Sequence, residues 1–227
     1  GKGVDIMKIS ILTLFPEMFD NFKTSSIIKR AIDKSLVEIE IINIRDFSKL
    51  NNKQVDDTPY GGGSGMVMRV DIVVDAINSV KTDESIVILM SPAGTTFNQK
   101  ISYDLSKKKH LIFICGHYEG IDERILNYVD MELSIGDFIL TGGEIPTMAM
   151  SDAIIRLIPG VIKDESSSNE SFNNSLLDYP VYTRPSVYDG CEVPEVLMNG
   201  NHALIDNWRK EAALKKTQER RPDLLNK

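Results

Sequence analysis

Two continuous apolar runs constrain the fold of this chain more than any other feature of its sequence. The runs SIVILMSP (85–92) and LIFICG (111–116) contain no charged residue. A strand that is apolar at consecutive positions buries both of its faces, which is typical of parallel sheets covered by helices on both sides. The two runs therefore predict strands that are buried on both faces of such a sheet.

The segments around these runs alternate between strand patterns and helix patterns. KISILTLF (8–15) and the alternating VEIEIINI (37–44) are predicted strands. Helical spacing of apolar residues predicts helices near 24–33, at 71–80 and from 144 to 158. Strands that alternate with helices predict an α/β domain with a mainly parallel sheet.

The chain has 227 residues, a length that suits a large domain followed by a small one. Segment 163–175, KDESSSNESFNNS, is polar and of low complexity, which predicts a flexible linker. We therefore predict a large α/β domain at 1–162, the linker at 163–175 and a small helical domain at 176–227. The small domain contains a predicted helix from about 203 to 218.

The composition narrows the setting in which the chain works. A hydrophobic fraction of 42% and a charged fraction of 26% are typical of a soluble globular protein. No apolar run approaches the roughly 20 residues that a membrane span needs. Cys115 and Cys191 form no C-x-x-C pair, which favours a reduced, cytoplasmic setting over a disulfide or metal framework. We expect no membrane partner and no metal site.

The charge is unevenly distributed along the chain. The formal net charge is −7, which argues against a generic nucleic-acid binder. Residues 208–227 nevertheless hold seven Lys and Arg against three Asp and Glu, so this tail carries +4 and the rest of the chain −11. Composition alone favours a solvated helix here, although a basic tail can also contact a polyanion.

Three glycine-containing loops follow predicted strands. They are SPAGTT (91–96), GHYEGIDER (116–124) and IGDFILTGGEIP (135–146). Ligands of parallel sheets bind beyond the carboxyl ends of the strands, so the three loops are expected to form one pocket. No G-x-x-x-x-G-K-[ST] pattern occurs, which excludes a P-loop, and GGGSG (61–65) is typical of a mobile loop. The residues alone therefore predict an α/β enzyme that binds a small ligand.

Six motifs occur in a family-specific order along the chain: DDTPYGGGSGM, SPAGTTFNQ, CGHYEGIDERI, SIGDFILTGGEIPTMAMSDAIIRLIPGV, LLDYPVYTRP and VLMNGNHALIDNWR. Together they resemble the bacterial tRNA (guanine-N1-)-methyltransferases from about Lys8 to the C-terminus. The resemblance implies a SPOUT-type fold with a deep trefoil knot in the C-terminal part of the large domain. It also implies a cytoplasmic homodimer with the active site at the subunit interface. The implied reaction transfers a methyl group from S-adenosylmethionine to N1 of the guanosine 3′ of the tRNA anticodon, position 37.

The resemblance assigns the three loops to S-adenosylmethionine as three walls of its site, mostly through main-chain groups. The first wall has Met90, Ser91, Pro92 and Gly94; the second has Gly116, Tyr118 and Glu119; the third has Ser134, Ile135, Gly136, Phe138, Leu140, Gly142, Gly143 and Pro146. Such walls suit an adenine, which needs backbone donors and acceptors and apolar faces rather than a basic cradle.

The implied chemistry needs a base and a cation. N1 of guanine carries a proton that a base must remove, and charge that builds towards O6 needs a cation nearby. The resemblance places Arg156 in the second role. It places Glu170 of ESF where the family has an aspartate in D-S-F, and Asp178 of LLDYP is the alternative base. Glutamate is one methylene longer than the family's aspartate.

The resemblance also implies substrate contacts and a Mg²⁺ requirement, with no metal site visible in the sequence. Glu119 is expected to read the guanine edge, and Tyr60 is a further substrate residue. The basic helix becomes a predicted tRNA backbone contact, through Arg209, Lys210, Lys215 and Lys216. Two positions depart from the family pattern, since Ala93 stands where glutamine is frequent and His117 where arginine is common.

Two alternatives stay open at this point. A non-catalytic RNA-binding or regulatory protein could keep the knot as a ligand sensor, and Glu170 in place of aspartate is its only support in the sequence. A related knotted methyltransferase could act on another RNA position or on ribose. The basic tail together with the motifs TRP and NHALIDNWR favours the tRNA-guanine assignment over both.

Overall fold

The computed structural model of the chain describes residues 5–163 and 176–226. The chain divides into two compact units, Gly1–Ile162 and Lys163–Lys227. The larger unit is an α/β structure, and the smaller one is built around a single long helix. No helix in the described ranges is long and apolar enough to cross a membrane.

The large unit contains a five-stranded sheet and a short hairpin. Its strands are, in chain order, β1 (Met7–Thr13), β2 (Val37–Asn43), β3 (Asp56–Asp57), β4 (Val67–Met68), β5 (Ser85–Thr96), β6 (His110–Ile114) and β7 (Met131–Ser134). The main sheet has the order β2-β1-β6-β5-β7, and every pairing in it is parallel. The prediction of an α/β fold with a mainly parallel sheet is confirmed. The knot stays a prediction.

Five α-helices surround this sheet: α1 (Asp20–Thr24), α2 (Ser26–Asp33), α3 (Val70–Val80), α4 (Gln99–Ser106) and α5 (Glu144–Ile155). The helix predicted near 24–33 is present as α2, and the shorter helix α1 precedes it across a break at Ser25. Ser25 is extended there, and Ser26 has a φ of 53°, which ends the hydrogen-bonded ladder of the first helix. The helix predicted to reach residue 158 ends three residues earlier, at Ile155.

The apolar run of β6 is explained by two cores, one on each face of the sheet. Leu111 and Phe113 belong to the core that α2 and α5 cover, whereas Ile112 and Ile114 belong to the core that α3 covers. All five residues of β6 are buried. Because side chains alternate along a strand, burial on both faces requires an unbroken apolar run.

The segment SPAGTT is part of a strand and not a loop after it, which corrects the prediction. β5 continues to Thr96 because its last residues pair again with β7. Met90 and Thr95 both lie opposite Leu133, so the residues between them form a bulge. A bulge of this kind bends the strand and redirects its side chains, and here it carries most of the predicted first wall.

The small unit has a hairpin as well as helices. Strands β8 (Val187–Tyr188) and β9 (Cys191–Glu192) are antiparallel, and helix α6 spans His202–Arg220. The helix predicted from about 203 to 218 is therefore present, and a short hairpin that was not predicted accompanies it. The dipeptide Asp189–Gly190 was the available signal, since both residues have positive φ as a two-residue hairpin turn requires.

Candidate active site

One cavity of about 480 Å³ lies where the carboxyl ends of β5, β6 and β7 meet. This volume is in the range of small-molecule sites. Every predicted cofactor residue except Gly94 lines it: Met90, Ser91, Pro92, Gly116, Tyr118, Glu119, Ser134, Ile135, Gly136, Phe138, Leu140, Gly142, Gly143 and Pro146. The structure therefore brings the three predicted walls to one place.

Gly94 has a packing role instead of a place in the lining. A Cβ at this position would lie 2.5 Å from the carbonyl carbon and oxygen of Glu132. Only glycine allows the bulge of β5 to approach the backbone of β7 so closely. The sequence therefore pointed to Gly94 but not to the packing of β5 against β7 that requires a glycine there.

The second and third walls touch through their backbones. The Gly143 N–H donates to the Gly116 carbonyl over 3.1 Å, and a Cβ on Gly143 would lie 2.9 Å from the Cα of Cys115. A Cβ on Gly142 would collide with the imidazole of His117. The glycines of the third wall thus serve close approach of two chain segments.

The second wall contains a strained residue. Tyr118 has a φ of 59°, a left-handed conformation that non-glycine residues adopt rarely. The Gly120 N–H donates to the His117 carbonyl over 3.1 Å and closes the turn around it. The Arg45 guanidinium donates to the Tyr118 hydroxyl from outside, over 3.5 Å.

The glycine-rich loop 61–65 is anchored to the second wall at its C-terminal end, which the interpretation as a mobile loop did not foresee. The Glu119 N–H donates to the Met66 carbonyl over 3.2 Å, and the Met68 N–H donates to the Gly120 carbonyl over 3.0 Å. A Cβ on Gly65 would meet the Glu119 side chain. Tyr60, a predicted substrate residue, immediately precedes this loop and is fully exposed.

A turn and a helix start shape the third wall. The Ser134 hydroxyl donates to the Gly136 carbonyl over 3.0 Å and accepts from the Gly136 N–H over 3.1 Å. Helix α5 begins at Glu144 with Pro146 in its first turn, as predicted, because a proline there lacks an N–H that would have no partner anyway.

A buried polar cluster behind the second and third walls was not predicted. Glu144 is only 1% exposed; its Oε2 accepts from the Thr13 hydroxyl over 3.1 Å, and its Oε1 is hydrogen-bonded to His117. We call Thr13, His117 and Glu144 the wall cluster. Its members are 131 and 27 residues apart in sequence, so no local pattern signals it.

Cys115 lies next to this cluster and has no nucleophilic role. The thiol is buried, 3.3 Å from the Thr147 hydroxyl. Burial, and after it the negative charge of nearby Glu144, raises the pKa of the Cys115 thiol. A thiol that stays protonated is a poor nucleophile.

The charge of the cavity is negative. Three carboxylates line it, those of Glu119, Glu123 and Glu132, and among the lining residues that the structure describes there is no Lys or Arg. Such a site repels phosphates and attracts cationic ligands. Within 5–163 and 176–226, no three or more His, Cys, Asp or Glu residues are grouped to hold a metal ion.

The predicted catalytic residues belong to three different parts of the chain. Arg156 follows the last residue of α5 and is half-buried, but it is absent from the lining of the cavity. Glu170 lies outside the described residues. Asp178, the alternative base, belongs to the small unit and is half-buried.

The predicted tRNA residues of the small unit lie on α6. The Arg209 guanidinium is 4.8 Å from the centre of the Tyr179 ring, and the Lys215 ammonium is 3.9 Å from a carboxylate oxygen of Glu219. Arg209 and Arg184 also line a second cavity of about 570 Å³ in this unit, and none of its described lining residues is acidic. Lys210 is exposed and Lys216 half-buried.

The sheet and the cavity define a class of protein. They describe an α/β protein that holds a small, cationic or neutral ligand between backbone segments at the carboxyl ends of parallel strands. A sequence model of the family described as tRNA (Guanine-1)-methyltransferase TrmD matches residues 7–227. The chain belongs to this family, and it is a methyltransferase, as the six motifs predicted.

Individual relatives agree with the family match. A tRNA (guanine-N(1)-)-methyltransferase of Malacoplasma penetrans is 57% identical over 221 residues, which cover 97% of this chain and 98% of the relative. Proteins with the same name from Dictyoglomus turgidum and Metamycoplasma arthritidis are 53% and 54% identical. The alignments cover 98% and 97% of this chain, and 91% and 96% of those relatives.

Proposed function

We propose that this chain transfers a methyl group from S-adenosylmethionine to N1 of the guanosine 3′ of the tRNA anticodon, position 37. The observation that carries the proposal is the single cavity at the carboxyl ends of the strands, lined by nearly all of the predicted wall residues. Relatives that are matched over almost their full length and named tRNA (guanine-N(1)-)-methyltransferases support the same reaction.

The cavity fits S-adenosylmethionine in shape and charge. When bound, this cofactor supplies an electrophilic methyl group on a positively charged sulfonium. The carboxylates of Glu119, Glu123 and Glu132 favour a cation in the cavity. Gly116 and Gly143, which line the cavity, are among the residues that would hold the adenosyl group.

The guanine requires groups that read it and move its proton. Glu119 lines the cavity and would accept hydrogen bonds from the guanine edge. Glu170 would remove the N1 proton, with Asp178 as the alternative, and Arg156 would stabilise charge at O6. A base in the segment 163–175 would act on the cavity of a partner subunit, which is the reason to propose a homodimer with the active site at its interface.

The small unit would bind tRNA. Arg209, Lys210, Lys215 and Lys216 place positive charge along one helix, and the neighbouring cavity has two guanidinium groups in its lining. Phosphate contacts of this kind supply most of the affinity of proteins for nucleic acids. The domain division at 163–175, the knot and a cytoplasmic location belong to the same proposal.

A Mg²⁺ requirement is a separate part of the proposal. The described residues form no cluster that fits a metal ion, so no step of the mechanism is derived through one. Activity measured with and without a chelator tests the requirement directly.

One assay tests the reaction. Labelled S-adenosylmethionine is incubated with two tRNA transcripts that carry guanosine or adenosine 3′ of the anticodon. We expect transfer to the guanosine transcript alone. Transfer to both would indicate a different RNA position or ribose, and transfer to neither would favour a regulatory ligand sensor; either result would overturn the proposal.

A second assay assigns roles to residues. Glu170→Gln is expected to abolish transfer if it is the base, whereas Asp178→Asn should do so only if the alternative is right. Arg209→Gln with Lys210→Gln should weaken tRNA binding and leave S-adenosylmethionine binding unchanged. Loss of both binding activities in that double variant would contradict the division of labour between the two units.

A further inference from the structure

The wall cluster adds side-chain hydrogen bonds to three elements whose backbones already meet: the Cys115 N–H donates to the Leu12 carbonyl over 2.9 Å, and the Gly143 N–H donates to the Gly116 carbonyl. Thr13 is the last residue of β1, His117 belongs to the second wall, and Glu144 is the first residue of α5. The Thr13 hydroxyl itself accepts from the Phe15 N–H over 3.0 Å. A continuous hydrogen-bonded chain therefore runs from the end of β1, through the helix start, to the second wall.

The carboxyl group of Glu144 makes this chain resistant to separation. Its side chain is 2% exposed, against 13% for that of His117, and a buried carboxyl group is stable only while it has hydrogen-bond partners. Thr13 and His117 each form a hydrogen bond with one of its two oxygens. If the second wall moved away from the third, the Glu144 carboxyl group would remain buried but would lose one of these hydrogen-bond partners.

His117 is also fixed by packing. The ring of Phe15 lies 4.6 Å from the imidazole, centre to centre, and Gly142 leaves room for the imidazole only because it has no Cβ. The next residue is Tyr118, with its left-handed backbone. Strained conformations of this kind persist only where the surrounding structure determines them. The contacts that fix His117 also restrain the backbone of Tyr118, the next residue.

We propose that Thr13 and Glu144 are positioning residues that act through His117 to hold the second wall against the third, so that the cavity is formed before its ligand arrives. Glu144 and Thr13 do not line the cavity, whereas His117 and Tyr118 do. The inference rests on the proposed binding of S-adenosylmethionine in this cavity.

The proposal predicts a particular kinetic effect. If only a fraction of the molecules has the walls in place, the apparent dissociation constant rises by the inverse of that fraction. A fall to roughly one tenth raises the Kd for S-adenosylmethionine about tenfold. At saturating cofactor the ligand itself restores the walls, so KM rises while kcat stays nearly unchanged.

Thr13→Val tests this with little change of shape, since it replaces a hydroxyl by a methyl group. We expect about a tenfold increase in the Kd and KM for S-adenosylmethionine, with kcat within about twofold of the unmodified protein. Thr13→Ser keeps the hydroxyl and should restore the Kd. Thr24→Val is the matched control: it also removes a hydroxyl that donates a hydrogen bond, here to the Asp20 carbonyl on the exposed helix α1, and should change neither value.

The measurements are calorimetric titration with S-adenosylmethionine, steady-state kinetics and thermal melting. Absence of binding by the unmodified protein would overturn the proposed function itself. Binding by the unmodified protein with an unchanged Kd in Thr13→Val would overturn the positioning role. A lower kcat at unchanged KM would also overturn it, because the cluster would then act in the chemical step. Glu144→Gln adds a larger expected rise in Kd, and if it fails to fold, the two Thr13 variants decide.

Discussion

Two buried polar clusters lie on the same sheet, at opposite ends of its strands. At the amino-terminal side, His110 is hydrogen-bonded through Nε2 to Ser10 over 2.8 Å and through Nδ1 to Ser85 over 2.6 Å; we call these three residues the sheet cluster. At the carboxyl side, the wall cluster joins a strand end, a loop and a helix start.

The difference lies in what each cluster fixes. Ser10, Ser85 and His110 belong to β1, β5 and β6, which are already paired by backbone hydrogen bonds. Their cluster can add stability but cannot change the arrangement of the strands. The wall cluster includes a loop and a helix start that lie outside the strand pairing, so it can change a binding site. In this parallel sheet, the sheet cluster at the amino-terminal side contributes to stability, whereas the wall cluster lies at the carboxyl side, where ligands of such sheets bind.

The largest effect is expected from a side chain placed between the walls. Gly143→Val would push against the Cα of Cys115 and the Cβ of Met90, at 2.9 and 3.2 Å from the first added carbon. Overpacking of this kind costs roughly 1–3 kcal/mol. We expect this cost to destabilise the arrangement of the walls that binds the ligand. We expect the Kd for S-adenosylmethionine to rise up to about 100-fold, measured by calorimetry.

Gly62→Ala is the control for this variant: nothing lies within 4 Å of a Cβ at that position, so its φ of 84° adds backbone strain in the loop without pushing the walls apart. Its Kd should stay close to that of the unmodified protein. A Kd for Gly143→Val that is also unchanged would show that the close approach of the two walls is irrelevant to the ligand.

At the opposite end of the strands, His110→Leu should affect stability alone. The substitution removes the His110 partner of the buried Ser10 hydroxyl, at a cost of about 1–3 kcal/mol. The Ser85 hydroxyl loses one partner but keeps its hydrogen bonds with Thr82. For a chain of this size each kcal/mol lowers Tm by about 2–4 °C. The Kd for S-adenosylmethionine should be unchanged; a shift in Kd comparable to that of Thr13→Val would abolish the distinction between the clusters.

The pH dependence of stability sharpens the same distinction. Burial, followed by the positive charge of Lys8, lowers the pKa of His110 below its ordinary value of 6.5. The folded protein therefore keeps His110 neutral where the unfolded chain would bind a proton, so its stabilising effect is complete above pH 6.5 and is lost as the pH falls below it. Tm should fall between pH 7 and pH 5.5, and the fall should be smaller in His110→Leu. An equal fall in both proteins would assign the effect to other groups.

The two clusters also show how far sequence can predict such a molecule. The unbroken apolar run of β6 predicted a strand buried on both faces, because each buried position of a strand favours an apolar residue. The bulge of β5 has no signal in the local sequence, since it depends on a second register with Leu133, about 40 residues further along the chain. The wall residues were found through motif resemblance, whereas the contact of Thr13 with Glu144 depends on tertiary structure that no local pattern encodes.

The smallest effect is expected at the outer side of the second wall. Arg45→Gln removes the hydrogen bond to the Tyr118 hydroxyl, which is long, at 3.5 Å, and exposed. An exposed interaction of this kind contributes less than about 1 kcal/mol, so the KM for S-adenosylmethionine should rise by less than about fivefold. Tyr118→Phe removes the same contact from the other side and should match it. A larger effect of Arg45→Gln than of Thr13→Val would contradict the positioning role of the wall cluster. In that case the hydrogen bond from Arg45 would hold the second wall in place, and the wall cluster would only follow from the position of that wall.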